Sequence, residues 1–258
     1  MQLVIYNIRI KMLITNFYKS LFESHAGSRY NELLDHVQPK VTPDMNNFLL
    51  KEYTVEEIKQ NLDDIGDLKA PGADGMPTIF YKHFWHIVGH DVVSEVMSFL
   101  NGGAMRQDWN DTVVALIPKV ANPDNVKDLR PISLCNVIYK IASKVLSNRL
   151  KVILPDIIAL NQSAFVSRRL ITDNVMLAYE MTHYIQTKRR GIDGYAAFKL
   201  DMNKAYDRVE WNFVRMMMGS LGFSENWIDL IMKCVTTVRY RIKINGELSE
   251  EISPQRGL

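Results

Sequence analysis

The chain has 258 residues, of which 47% are apolar and 23% charged, and a formal net charge of +2; this is enough chain for the core of one large domain or two modest ones. No window approaches the run of about 18 apolar residues that a membrane span needs, and the first residues lack the basic, apolar, small-residue order of a secretory signal. The expected setting is therefore intracellular, in nucleus or cytoplasm, with no membrane partner, and the widely spaced Cys135 and Cys234 read as reduced core residues.

Met1 to Ile10 (MQLVIYNIRI) has the look of a strand, and Asn16 to Phe22 of a helix with an aromatic face. Val41 to Asp44 (VTPD) predicts a turn. Thr54 and Glu57 have capping-box spacing, and Ile58, Leu62 and Ile65 behind them predict a short amphipathic helix. Lys69 to Gly75, KAPGADG, must be a loop. A helix is predicted from about Asp91 to Leu100, with Val92, Val93, Val96 and Leu100 inward and Gly102-Gly103 as its stop. Thr112 to Pro118 (TVVALIP) is β-branched and ends at a proline, which favours a strand. After a polar loop, a long helix runs from Ser133 through Leu150 to a stop near Pro155, with Lys140, Lys144, Arg149 and Lys151 on its polar face. Another, from about Thr172 to Thr187, turns Val175, Ala178 and Ile185 inward. Gly191 to Gly194 is a turn, and Tyr195 to Leu200 (YAAFKL) predicts an apolar strand ending in Asp201. Helices near Trp211 to Leu221 and Asn226 to Thr236 flank a break at Gly222. Val238 to Ile244 alternates with period two before Asn245-Gly246, a type I′ hairpin signal. This order of elements predicts an α+β fold with an antiparallel sheet.

Charge is unevenly spread. From Lys119 to Arg190 there are twelve Lys and Arg against five Asp and Glu, so the remainder of the chain is net acidic. Such a block suits a phosphate backbone, because bound cations release condensed counterions, and it equally suits solvated helix faces. The closing Lys188-Arg189-Arg190 also suits the negative end of a helix.

An aspartate ending a buried strand can hold a divalent cation above the sheet edge, or can cap the next helix. The run around Asp201 is more specific. Lys199 to Trp211, KLDMNKAYDRVEW, resembles the first catalytic motif of reverse transcriptases of non-long-terminal-repeat, LINE-type retrotransposons, the plant elements in particular. LIPK (Leu116 to Lys119), LRPISLCNVIYKIASKVLSNRLK (Leu129 to Lys151), LNQSAFVSRRLITDN (Leu160 to Asn174) and INGELSEEISPQRGL (Ile244 to Leu258) resemble successive blocks of that family in order. KAPGADG resembles the loop that opens the domain, and residues 10–50 resemble the upstream linker.

The resemblance implies an incomplete right-hand polymerase. Residues 51–190 would be fingers-like and 191–258 a partial palm, with an antiparallel palm sheet, flanking helices and no thumb; residues 1–50 stay undefined. It implies an RNA-directed DNA polymerase, a nucleotidyltransferase acting on RNA template, DNA primer and dNTP through two Mg²⁺ (or Mn²⁺) ions about 3.5–4 Å apart. Asp201 would be the catalytic carboxylate bridging both ions, with the Met202 carbonyl adding an oxygen. Amides at Ala205 and Tyr206 would face the triphosphate. The Tyr206 ring would close the sugar pocket against a 2′ hydroxyl, or simply pack. Arg130, with its fork of donors, is the preferred triphosphate contact and Lys119 the weaker one, each also readable as a surface charge. Asn161, Gln162, Ser163, Phe165 and Arg169 match the template-contacting segment. Arg168 stands where a glycine is common, which strains the turn if that position needs a positive φ.

His83, His86 and His90 have helical spacing without further zinc ligands and read as ordinary histidines. Asp207 and Glu210 read as a helix start and surface. The family's second metal motif, aromatic-x-Asp-Asp, has no counterpart after Asp201; the one Asp-Asp pair is Asp63-Asp64, on a predicted surface helix. The chain is therefore expected to be truncated before that motif and unable to polymerise by itself. A non-catalytic nucleic-acid-binding module and a remnant without a selected role, its strand edges exposed after Ile244, are the other readings.

Overall fold

Apolar residues three and four apart recur through much of the chain, and in the computed structural model they become helices that bury one face. The structure describes residues 2–24, 30–188, 194–202 and 204–257. Six helices come first: α1 (Gln2–Phe22), α2 (Tyr30–Leu34), α3 (Pro43–Leu49), α4 (Val55–Asp63), α5 (Thr78–His83) and α6 (Trp85–Leu100). Strands β1 (Asp111–Pro118) and β2 (Leu129–Leu134) precede α7 (Val137–Ile157), α8 (Ile171–Thr187), α9 (Trp211–Leu221) and α10 (Glu225–Thr236). Strands β3 (Arg239–Ile244) and β4 (Glu247–Leu248) follow.

The sheet has the order β2-β1-β3-β4. β1–β2 and β3–β4 are antiparallel, whereas β1 and β3 run parallel, with Asp111 opposite Arg239 and Ala115 opposite Lys243. The sheet is thus mixed, which corrects the antiparallel expectation. Direct hairpin connections, ten residues between β1 and β2 and two between β3 and β4, give the two antiparallel pairs, but β1 and β3 are joined by a crossover through four helices, the kind of connection that parallel pairing requires. Asn245 (φ 50°) and Gly246 (φ 88°) make the expected type I′ turn.

Local signals hold where a cap or a period is clear. Thr54 caps α4, its hydroxyl accepting the Glu57 amide at 3.1 Å. Gly222 (φ 93°) ends α9 in the left-handed region. Thr42 and Pro43 open α3 as N-cap and first residue, so the expected turn there is a helix start. Residues 2–10 are helical, not extended: Ile10, Ile14, Phe17, Tyr18 and Leu21 continue one face, and packing that face on the sheet outweighs local β propensity. Ser133 belongs to β2, and α7 begins only after Asn136.

Two apolar clusters result. The larger joins α3, α4, α6, α7 and α10 through Leu49, Ile58, Leu62, Phe99, Ile141 and Trp227. The smaller lays α1 across β1 and β3, with Tyr18 and Phe22 against Val114, Ile242 and Ile244. The KAPGADG loop closes onto the start of α7. A Cβ on Gly72 would sit 2.1 Å from Asn136 Oδ1, so only glycine allows the approach. Asn136 in turn accepts the Asp74 amide at 3.2 Å and donates to the Asp108 carbonyl at 2.8 Å.

Arg149, expected on the polar face of its helix, is buried. Its guanidinium donates to both carboxylate oxygens of Glu57, at 2.8 and 2.7 Å. It also donates to the carbonyls of Leu49, Lys51 and Glu52, and lies 3.7 Å from the Tyr53 ring centroid. Removing one member of such a group strands the other charge out of water. Arg149→Ala is expected to cost about 3–5 kcal/mol, and Arg149→Lys to recover only part of it because an ammonium lacks the planar fork; urea denaturation midpoints with unchanged slopes check both values.

Candidate functional site

The residues singled out in the sequence come from three connections: the β1–β2 hairpin, the loop between α7 and α8, and the run from Gly194 to Glu210. In the hairpin, Arg130 lies opposite Ile117, and the Lys119 amide donates to the Asp128 carbonyl at 2.8 Å. Residues 117 and 119 share a face, so Lys119 and Arg130 do too. Both are exposed, and the Lys119 ammonium donates to the Lys127 carbonyl at 3.0 Å.

The α7–α8 loop is held from within. Ser163 is buried and its hydroxyl donates to Asn174 Oδ1 at 3.0 Å, while Asn161 and Gln162 are exposed. Arg169 folds back over the end of α7. Its guanidinium donates to the carbonyls of Pro155 (2.9 Å), Ile158 (3.2 Å), Ala159 (2.5 Å) and Gln162 (2.8 Å). Phe165 (φ 63°) and Arg168 (φ 66°) take left-handed backbone conformations. The position where the resemblance puts a glycine therefore does need a positive φ.

Tyr195 to Leu200 is irregular and exposed rather than a strand, Phe198 and Leu200 being 87% and 90% accessible. Asp201 and Met202 are exposed with it. Strand geometry persists only against a partner ladder, and none of the described strands borders this run. Helix α8 is as expected in extent, but it buries no residue, and Val175 is 63% accessible rather than inward. After Asp201 the chain takes firmer form. Lys204 (φ 54°) leads into Ala205, half-buried and helical, and a 3-10 turn over Tyr206–Arg208. The Tyr206 ring meets Phe165 edge to face, centroids 6.1 Å apart, so the candidate sugar-pocket aromatic and a candidate template residue are brought together.

Behind this turn lies an anchor that the sequence did not suggest. Glu210, expected at the surface, is largely buried and accepts from Arg256 at 3.2 Å and from the Ser24 hydroxyl at 2.7 Å. Arg256 also donates to the Leu21 carbonyl at 2.9 Å, and the Trp211 indole to that of Gly257 at 2.7 Å. The long sequence separation of Glu210 and Arg256 hid the pair.

The sequence pattern of the family described as reverse transcriptase (RNA-dependent DNA polymerase) matches residues 117–258, which include the last two residues of β1, all of β2, the α7–α8 loop and the Asp201 run. The chain belongs to the reverse transcriptase family. It is similar to the transposon TX1 uncharacterized 149 kDa protein of Xenopus laevis, 29% identical over 94% of this chain and 18% of that protein. It is also similar to Pol polyproteins from the type-1 retrotransposable element R2. The identity is 24% for Popillia japonica, covering 73% of this chain and 25% of that protein, and 23% for Nasonia vitripennis, covering 86% and 21%. The chain thus spans a quarter or less of the length of these relatives. The assignment to reverse transcriptases of non-long-terminal-repeat retrotransposons is borne out.

Within this reverse transcriptase domain, no group of three or more His, Cys, Asp or Glu able to hold a metal occurs among the described residues, the three histidines included. Asp201 alone does not make up the donor set of a two-ion site. Cys135 and Cys234 are unpaired thiols; burial pushes Cys234 up to about 12 and Cys135 above its usual range. No helix among the described residues is long and apolar enough to cross a membrane. Lys127, Lys204, Arg208 and Arg256 line one cavity, a grouping hidden in the sequence because three of them fall outside the basic block and Lys127 reads as an ordinary loop charge.

The left-handed Arg168 gives a direct check. Relief of about 1–2 kcal/mol of steric cost, less about 0.5–1 kcal/mol for the greater freedom of unfolded glycine, leaves Arg168→Gly more stable by about 0.5–1 kcal/mol, read as a raised urea midpoint.

Proposed function

We propose that this segment is the fingers and part of the palm of an RNA-directed DNA polymerase from a mobile element related to TX1 and R2. The observation that carries the reading is the family match over residues 117–258 with Asp201 inside the KLDMNKAYDRVEW run. In this reading Asp201 is the catalytic carboxylate and, with the Met202 carbonyl, a ligand to Mg²⁺ or Mn²⁺, which when bound would activate the primer hydroxyl and neutralise the triphosphate. Lys119 and Arg130 contact the triphosphate of the incoming dNTP, beside the amides of Ala205 and Tyr206. The Tyr206 ring limits the sugar, and its contact with Phe165 supports a common cleft for nucleotide and template. Asn161 and Gln162 offer exposed amides to the RNA template, and Ser163 and Arg169 act from behind by fixing the loop that carries them. The DNA primer would approach Asp201 from the same cleft.

The exposed apolar run Tyr195 to Leu200 supports one further part of the reading. Six mostly apolar residues leading to a metal-binding aspartate are the makings of a palm strand, and a strand of that kind forms when a neighbour supplies its ladder. An aromatic-x-Asp-Asp hairpin, from the same chain or another, would supply both the ladder and the remaining carboxylates. The uncovered face of α8 and the exposed Leu200 and Met202 fit such a partner surface.

A second reading, a non-catalytic nucleic-acid-binding module, is favoured by the exposed cations Lys119 and Arg130 on one hairpin face, which need no metal. Primer extension with the 258-residue chain, RNA template, DNA primer, dNTPs and Mg²⁺ or Mn²⁺ separates the parts. No extension is expected from these residues alone, with RNA binding that weakens as salt rises. Product that disappears in Asp201→Ala would overturn the inactivity of the isolated segment, and salt-independent or absent RNA binding would count against both readings.

A further inference from the structure

A cavity of 770 Å³ opens between α1, the 3-10 turn at Val126–Asp128 and the run that follows Asp201. Its cations come from three separate parts of the chain: Lys127, then Lys204 with Arg208, and Arg256. No carboxylate among the described residues lines it, and α1 supplies an opposite wall with Phe17, Leu21 and Asn16.

Lys204 sits in this cavity at two costs to the fold. Its backbone is left-handed (φ 54°), which a side chain with a Cβ resists. Its side chain is only 10% exposed, and the buried ammonium has no hydrogen-bond acceptor among the described residues. What offsets its desolvation is diffuse: Asp207 Oδ2 at 3.8 Å and the rings of Phe17 and Tyr18 at 4.9 and 5.3 Å. The Tyr18 hydroxyl, buried under the same lysine, also lacks a partner among the described residues. A strained, desolvated cation in the wall of a cavity is costly for stability alone and well suited to an anion.

We propose that this cavity is a phosphate-binding site that takes one nucleotide unit, its phosphate among Lys127, Lys204, Arg208 and Arg256 and its sugar or base along the Phe17 wall. The four cations supply charge from several directions, and the guanidiniums add forked donors matched to phosphate oxygens. Arg256 shares its donors with Glu210 and so helps to fix the site, while the exposed Lys127 and Arg208 are free to close on a ligand. Lys119, Arg130, Ala205 and Tyr206, assigned above to the incoming nucleotide, do not line the cavity, so it is a site additional to that one. The phosphate belongs either to a nucleic-acid strand or to a free nucleotide.

The two sources separate by experiment. Fluorescence anisotropy of the 258-residue chain with a labelled RNA oligonucleotide, titrated with salt, is paired with a direct binding measurement for dATP. The double variant Lys127→Gln/Arg208→Gln is compared with Lys51→Gln, an exposed charge remote from the cavity. If the unit belongs to a strand, the double variant binds RNA at least several-fold more weakly and its salt slope falls by about 0.7–0.9 for each phosphate that is no longer neutralised. If it is a free nucleotide, dATP binding falls and RNA binding does not. RNA and dATP binding both equal to those of Lys51→Gln would overturn the proposal. Lys204→Met adds a readout that a structural role would not give: it is expected to raise the melting temperature while weakening the same ligand. Should the double variant not fold, acetylation rates on the unmodified chain decide instead. RNA or dATP slowing Lys127 relative to Lys51 supports the site, and equal rates with both contradict it.

Discussion

The Arg149 guanidinium, clamped between Glu57 and three backbone carbonyls, fixes the helix on which the remaining architecture is hung. Through it α7 is locked to the turn between α3 and α4. The start of α7 receives the KAPGADG loop through Asn136, and Lys140 donates to the Ala70 carbonyl at 2.8 Å. The far end of α7 is closed by Arg169. Since β2 runs directly into α7, and the α7–α8 loop leaves directly from it, the hairpin cations and the Phe165 loop inherit their positions from this one helix. A charge buried with so many partners is costly to disturb, and that gives the scaffold its rigidity.

Guanidiniums meet backbone carbonyls at three places. Arg149 and Arg169 each turn a planar fork onto several backbone carbonyls, at the α3–α4 turn and the end of α7, and Arg256 donates to the Leu21 carbonyl at the end of α1 while its fork meets Glu210. Arg149 and Arg169 therefore leave the basic block, which charge counting alone reads equally as a phosphate surface or as solvated helix faces. The exposed cations that remain include Lys119, Lys127 and Arg130 on one hairpin and Arg208 in the 3-10 turn that follows Asp201 in the chain. In contrast to this firm half, α8 and the run to Met202 turn apolar side chains outward, and Asp201 belongs to no group of three or more His, Cys, Asp or Glu able to hold a metal among the described residues.

Much of the fold could be read from local patterns. The Thr54 cap, the Gly222 stop, the period-two run into Asn245-Gly246 and the ordered motif blocks all carry their meaning within a few residues. What escaped was set by partners far away in sequence. Arg149 looks like any polar helix position until the carbonyls of residues 49–52 are brought to it. Tyr195 to Leu200 has strand composition but lacks a described ladder. The direction of β3 against β1 depends on a four-helix crossover, and Glu210 meets Arg256 only after α1 has been laid on the sheet. Of the candidate site, the sequence offered residues without geometry, except at Arg168, where an expected glycine turned out to mark a left-handed turn.

The central proposal, that the α7–α8 loop and the run after Asp201 face one nucleic-acid cleft, draws its support from the Phe165–Tyr206 contact. The most direct measurement is photocrosslinking of the chain to a 4-thiouridine RNA, followed by peptide mapping. Adducts concentrated between Asn161 and Arg169 and at Tyr206 are the expected result. Adducts confined to the helical face of α3, α6 and α10, with none in those two segments, would contradict it.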